Sequence, residues 1–194
     1  DAAGVLSEYA VLPQSAVLHI PEYLNYQEAA TLPCAAVTAW TCIKAANIKK
    51  GDTVLLLGTG GVSIFGLQIA KALGANVIIT SSSNEKLERA KDLGADELIN
   101  YKENSDWGSK AFQAAGGGVN LVIEIGGGST FDQSMEALTI GGHISLIGAL
   151  GGIKTELNLL QIVFKNVHTH GITVGSREDH EEMNRFLEEH QIHP

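Results

Sequence analysis

A chain of 194 residues with 44% hydrophobic and 18% charged residues can bury one good core and part of a second. Its net charge of −9 argues against nucleic acid or an anionic membrane surface as partner. Two cysteines, Cys34 and Cys42, exclude a disulfide scaffold or a four-thiolate zinc site and fit a reducing compartment. No apolar run reaches the roughly 18–20 residues that cross a bilayer, and the first residues do not read as a signal peptide. The expectation is a cytoplasmic, soluble protein with no membrane partner. Taken in chain order, residues 8–12 and 16–20 are short strand-like runs, the second stopped by Pro21. Residues 26–44 carry a helical pattern that Pro33 should kink or divide.

From Gly51 the sequence alternates regularly. Apolar strands are predicted at 53–57, 76–80, 97–100, 120–125, 143–147 and 171–174. Helices are predicted at 62–73, 84–93, within 105–115, at 130–138 and at 156–166, with a polar amphipathic last helix at 177–189. Strands that are apolar on both faces and separated by helices imply a parallel sheet covered on both sides. Six of them make an α/β fold, a doubly wound six-stranded Rossmann sheet with right-handed crossovers.

The chemistry concentrates at the turn after the first of these strands, Gly58-Thr59-Gly60-Gly61-Val62-Ser63. A pyrophosphate must approach backbone N–H groups closely at a helix start, and side chains there would block it. Gly58 and Gly60 occupy the two positions where the chain turns and the phosphates pass. Ser63 takes the third place, where a small residue lets helix and strand pack. With a strand before, a helix after and βα units around it, the turn reads as a dinucleotide site rather than as a tight structural turn.

A site for NAD expects Asp or Glu about 20 residues further on, to bind the ribose hydroxyls. Ser81 stands there instead, followed by Ser82 and Ser83. A carboxylate would repel a 2′-phosphate, whereas hydroxyls would hydrogen-bond to it. Lys86 falls in the first turn of the next helix, where the helix dipole disfavours a cation unless a phosphate is bound. A plainer reading makes Ser82 and Glu85 a capping box and leaves Lys86 solvated, and the two are compatible. NADP(H) is therefore favoured over NAD(H).

With these residues in view, the sequence resembles the medium-chain dehydrogenase/reductase superfamily, in its zinc-type alcohol dehydrogenase and quinone-oxidoreductase-like branch. The resemblance rests on Glu8-Tyr9, Leu32-Pro33-Cys34-Ala35-Ala36-Val37-Thr38-Ala39-Trp40, the glycine turn, Ser81 to Ser83 with Lys86, and Leu93-Gly94-Ala95-Asp96. It continues through Ile99-Asn100-Tyr101, Glu124-Ile125-Gly126-Gly127, Gly141-Gly142, Ile147-Gly148, Gly171-Ile172 and Val174-Gly175-Ser176-Arg177.

The resemblance implies an NAD(P)-dependent hydride transfer between nicotinamide and a small alcohol, carbonyl or quinone/enone. Gly58, Gly60, Gly61 and Val62 would hold the pyrophosphate, and Ser81, Ser82, Lys86 and Tyr101 the 2′-phosphate. Thr38, Gly148 and Ser176 would lie along the nicotinamide half. Tyr101 reads equally as a strand-end packing aromatic, and Arg177 equally as a phosphate contact or a helix-start surface charge. The implied organisation is the end of a GroES-like catalytic domain at 1–35, a Rossmann domain at 36–175 and a helix leading back at 176–194. Such a chain starts inside the catalytic domain and stops where relatives go on. A homodimer through the Rossmann domain is also implied, with 143–150 or 171–174 as the pairing edge.

Cys34 aligns with one catalytic-zinc ligand of zinc-dependent relatives, but the other ligands would precede residue 1, and a buried structural thiol is the favoured reading. His168 and His170 share one strand face without a third ligand near them in sequence, and a structural or surface role is favoured. None of Tyr9, Tyr23, Tyr26 or Tyr101 has a Lys four residues later, which removes the short-chain dehydrogenase pattern. No Gly-x-Ser-x-Gly elbow or P-loop lysine is present. The competing reading is a non-catalytic nucleotide-binding or assembly module.

Overall fold

Val54, Leu55 and Leu56 are wholly buried although their side chains point alternately to opposite faces, which only a strand deep inside a doubly covered sheet can manage. In the computed structural model, which describes residues 4–194, this strand is β1, Thr53–Leu56, and the first three positions of the 1–35 segment lie outside the described residues. Around it stand β2 (Asn76–Ser81), β3 (Glu97–Asn100), β4 (Val119–Glu124), β5 (Leu138–Leu146) and β6 (His168–Gly171). All pairings are parallel, in the order β3-β2-β1-β4-β5-β6. The order reverses between β1 and β4, the place where an open α/β sheet leaves a crevice at the carboxyl ends of its strands.

Each face carries its own core. Val54, Leu56, Val77, Ile79, Leu121 and Ile123 pack one face beneath α2 (Val37–Ala45), α3 (Gly61–Ala72) and α8 (Arg177–His190). Leu55, Ile78, Val122 and Ile144 pack the other beneath α5 (Trp107–Ala114) and α6 (Phe131–Ala137), through Trp107, Ala111, Phe131 and Met135. Alternation at period two thus divides one run of apolar residues between two cores. The helix α4 (Asn84–Asp92) buries only Leu87 and Ala90, and α8 only Met183 and Leu187, so both keep polar outer faces.

Two sequence expectations change, at residues 8–20 and at the last strand, and the expected division at Pro33 holds. Residues 8–12 and 16–20 form no strand; a single 3-10 turn, Gln14–Ala16, interrupts an extended segment whose Leu6 and Val11 are fully exposed. A strand needs a neighbour for its backbone donors, and no strand pairs with this segment among the described residues. The 26–44 region divides just before Pro33, after a four-residue α1 (Tyr26–Ala29) with an Asn25–Glu28 capping box. Leu32–Ala36 then runs as a π-helix straight into α2, with Pro33 at its start, where a missing N–H costs nothing. The last strand lies three residues earlier than the predicted 171–174, with His143 beside His168 in register. Ile172 and Val174 leave the sheet and pack on the core beneath α2. A short α7, Leu159–Lys165, precedes β6. Among the described residues no helix is long and apolar enough to cross a membrane.

Candidate dinucleotide-binding site

The turn between β1 and α3 is shaped by three glycines with different duties. Gly58 has a φ of +74°, the left-handed region that a side chain disfavours, and its N–H donates to Thr80 Oγ1 at 3.2 Å. Gly60 is the N-cap of α3 and supplies no side-chain cap, so the first-turn N–H groups of the helix stay open to an anion. A Cβ on Gly60 would meet nothing within 4 Å, so the protein's own packing does not demand glycine there. Gly61 is different, because a Cβ there would come to 3.2 Å from Ala35 Cβ, so the residue is needed for packing against the segment before α2. Ser63 is buried and its hydroxyl donates to Leu57 O at 2.8 Å, tying helix to strand as the small third residue of the motif should.

Beyond the turn lies a cleft of about 450 Å³ lined by Leu57, Gly58, Thr80, Tyr101, Ile125 and Thr130 among others. Ser81, the residue after cleft-lining Thr80, ends β2 and is buried, with Oγ 3.3 Å from Thr59 Oγ1. The glycine turn and the end of β2 are therefore in contact. The cap of α4 is Ser83, whose hydroxyl accepts from Lys86 N at 3.4 Å, and not the Ser82–Glu85 box. The register moves by one because Ser83 holds the extended conformation that an N-cap needs, at φ −132° and ψ 121°. Glu85 instead pairs with Arg89, which leaves exposed Lys86 without an ion-pair partner among the described residues. Tyr101 is 43% exposed and faces the cleft, so its ring is not sealed into the core.

Thr38, Gly148, Ser176 and Arg177 are not among the residues that line this cleft. Thr38 is buried in α2 and donates to Cys34 O at 2.6 Å. Gly148 follows β5, where a Cβ would come to 2.5 Å from Ile125 O. Ser176 caps α8 in a reciprocal box with Asp179. Arg177 is not brought to the cleft: it binds Glu181 at 3.0 Å and Ser15 O at 3.2 Å, and lines a groove with His19 and Asn184.

Cys34 is exposed, which corrects the expectation of a buried thiol; Cys42 is the buried one, and burial pushes its thiol up to about 12. Among the described residues no three His, Cys, Asp or Glu side chains come together as a metal-holding group, so this chain's own residues do not fit a zinc site. His168 and His170 do acquire a neighbour that sequence spacing could not reveal. His143 on β5 lies with Nδ1 3.1 Å from His170 Nε2 and its ring stacked on His168 at 4.8 Å. Of the two segments expected as a pairing edge, 143–150 begins in β5, which is interior, whereas 171–174 begins at the end of β6, which is an edge strand, as β3 is on the other side of the sheet. Glu124, a wholly buried carboxylate at the end of β4, was given no role from sequence beyond its part in the resemblance, although an acid directly after the apolar run Leu121-Val122-Ile123 is a readable signal.

A glycine turn and an uncapped helix start at the switch point of a doubly wound parallel sheet define a Rossmann fold. The zinc-binding dehydrogenase family matches residues 61–189, and the chain belongs to that family, within the medium-chain dehydrogenase/reductase superfamily. It is similar to a zinc-type alcohol dehydrogenase-like protein of Schizosaccharomyces pombe, 48% identical over 98% of this chain and 58% of that one. A crystal structure of a putative alcohol dehydrogenase from Sinorhizobium meliloti matches at 43% identity with a TM-score of 0.93, over 98% of this chain and 56% of that one. A structure named as an NAD-dependent alcohol dehydrogenase matches at 35% identity with a TM-score of 0.90, again over 98% and 56%. The chain thus spans just over half the length of these relatives.

Proposed function

We propose that this chain is the cofactor-binding portion of an NADP(H)-dependent oxidoreductase that moves a hydride between nicotinamide and a small alcohol, carbonyl or quinone/enone. One observation carries the reading. α3 starts without a side-chain cap after β1, and α4, with Lys86 in its first turn and no ion-pair partner among the described residues, starts after the adjacent β2, which ends on Ser81 where an acid would otherwise exclude a 2′-phosphate. Bound NADP(H) supplies the hydride itself; the chain's residues hold and orient it. The open N–H groups after Gly60 take the pyrophosphate, with Val62 beside them in the first turn. Ser81, Ser82, Lys86 and Tyr101 take the 2′-phosphate and adenosine. Thr38, Gly148 and Ser176 border the nicotinamide side. Residues 36–175 form the nucleotide-binding domain, and 1–35 and 176–194 the passages to and from a catalytic domain.

The partner we propose is a second copy, joined through β6. That strand is an open edge, and Leu159, Leu160, Val163 and Phe164 of neighbouring α7 are exposed. The same surface supports the second reading, an assembly module without turnover. The two are separated by supplying the full-length protein with NADPH deuterated at C4 and a panel of small aldehydes and quinones. Deuterium in a reduced product supports the oxidoreductase; tight cofactor binding with no transfer to any member supports the module.

A further inference from the structure

Glu124 is wholly buried and meets no cationic side chain among the described residues. A carboxylate so placed must recover its lost hydration from donors. Here four donors converge, all from the ten residues that follow it. Oε1 accepts from Gly126 N at 2.7 Å, Gly127 N at 3.0 Å and Thr130 Oγ1 at 2.6 Å, and Oε2 accepts from Ser134 Oγ. The Glu124 carbonyl meanwhile accepts from Ile147 N at 3.0 Å and Gly148 N at 3.3 Å. One residue therefore grips both loops that leave the carboxyl ends of β4 and β5.

Those loops need a grip. Gly126, Gly127 and Gly128 are consecutive, and such a run loses more conformational entropy on ordering than any other tripeptide. It is nevertheless held close to its neighbour: Gly151 N donates to Gly126 O at 2.7 Å, and Gly128 N to Gly152 O at 2.7 Å. A Cβ on Gly127 would come to 2.7 Å from Ala149 Cα, and one on Gly128 to 2.3 Å from Lys154 O. Ile125, Gly126 and Thr130 form the cleft wall opposite Gly58 and Tyr101.

We infer that Glu124 is a positioning residue for cofactor binding: its carboxylate fixes the glycine-rich wall of the cleft facing the Gly58 turn. This rests on the dinucleotide reading of the site. Oε2 serves α6 alone, through Ser134, while Oε1 serves the wall, so fold and wall can be perturbed separately.

The test is NADPH titration of the full chain by fluorescence, with thermal unfolding run beside it, for Glu124→Gln, Glu124→Leu and Ser134→Ala. Glu124→Gln keeps one carbonyl oxygen for the wall and should weaken NADPH binding only a few-fold. Glu124→Leu orphans every donor and should weaken it by about tenfold or more. Ser134→Ala should lower the unfolding midpoint and leave the NADPH Kd unchanged. Amide exchange at Gly126 and Gly127 should quicken in the Glu124 variants and not in Ser134→Ala. If Glu124→Leu does not fold, Glu124→Gln decides through its Kd and exchange rates. The inference is overturned if wild type binds NADPH and the Glu124 variants bind within twofold of it, or if Ser134→Ala weakens binding as much as they do. Absence of binding by wild type overturns the dinucleotide reading instead.

Discussion

The backbone N–H of Gly58 donates to the Thr80 hydroxyl across 3.2 Å, which pins the turn after β1 to the end of β2. Together with the Thr59–Ser81 hydroxyl contact, this joins the glycine turn proposed to hold the pyrophosphate to the strand end proposed to read the 2′-position. Gly58→Ala forces a side chain to φ +74° and toward Ile125 Cδ1 at 3.5 Å, and should cost about 1–2 kcal/mol of stability. Thr80→Val removes the acceptor at nearly the same volume and should cost about 1 kcal/mol. Urea unfolding measures both, and NADPH binding should weaken in both; an unchanged midpoint for Gly58→Ala contradicts the assigned backbone.

Tyr23 joins the two ends of the chain, its hydroxyl lying 2.6 Å from Ile192 O and 3.0 Å from Leu187 O. Tyr23→Phe should lower stability by about 1 kcal/mol, or a melting midpoint by roughly 2–4 °C. Burial, then the charges of Glu188 and Glu28, push the phenol from 10.0 up to about 12. The neutral form is the one that donates, so its contribution is complete below pH 10 and is lost as pH rises from there toward about 12. Melting of wild type and Tyr23→Phe across this range should converge at the alkaline end.

His143 is held below its ordinary 6.5, first by burial and then by the neighbouring His168 and His170. A base with a depressed folded pKa stabilises the fold above 6.5 and loses that contribution as pH falls from 6.5 toward the folded value. The melting midpoint should therefore fall on acidification, starting near neutrality, and His143→Phe should flatten the dependence. An equal slope in the variant would dissociate the histidine group from acid sensitivity.

Lys165 donates to Met135 O at 2.9 Å, Glu136 O at 2.9 Å and Leu138 O at 3.0 Å, closing the end of α6 where the helix dipole is negative. Lys165→Met keeps the stem and removes all three bonds. It should cost about 1–3 kcal/mol in urea unfolding. A neutral result would mean that water replaces the ammonium at these carbonyls.

The regular part of the fold was legible because its strands are apolar throughout and its turns carry glycine. Glu97–Asn100 was located to the residue. Legibility failed where a position depends on a distant neighbour. His168, Thr169 and His170 carry no apolar signal, yet pairing with His143, Ile144 and Ser145 makes them β6. Residues 8–12 read as a short strand-like run but have no strand beside them among the described residues. Ser83 rather than Ser82 caps α4 because backbone angles decide a cap, and three successive serines look alike in sequence. Of the expected site residues, Gly58 and Tyr101 line one cleft and Ser81 touches the glycine turn through Thr59, whereas Arg177 takes the surface-charge role that was one of its two readings, with Glu181 and Ser15 as partners.

If the mouth between β1 and β2 accepts a 2′-phosphate, NADPH binds more tightly than NADH. The most direct measurement is the ratio of NADH to NADPH dissociation constants for the chain and for Lys86→Ala. The expected result is a ratio of about ten or more in wild type, falling by roughly tenfold in Lys86→Ala through loss of NADPH affinity alone. Equal affinities in wild type, or tighter binding of NADH, would contradict it.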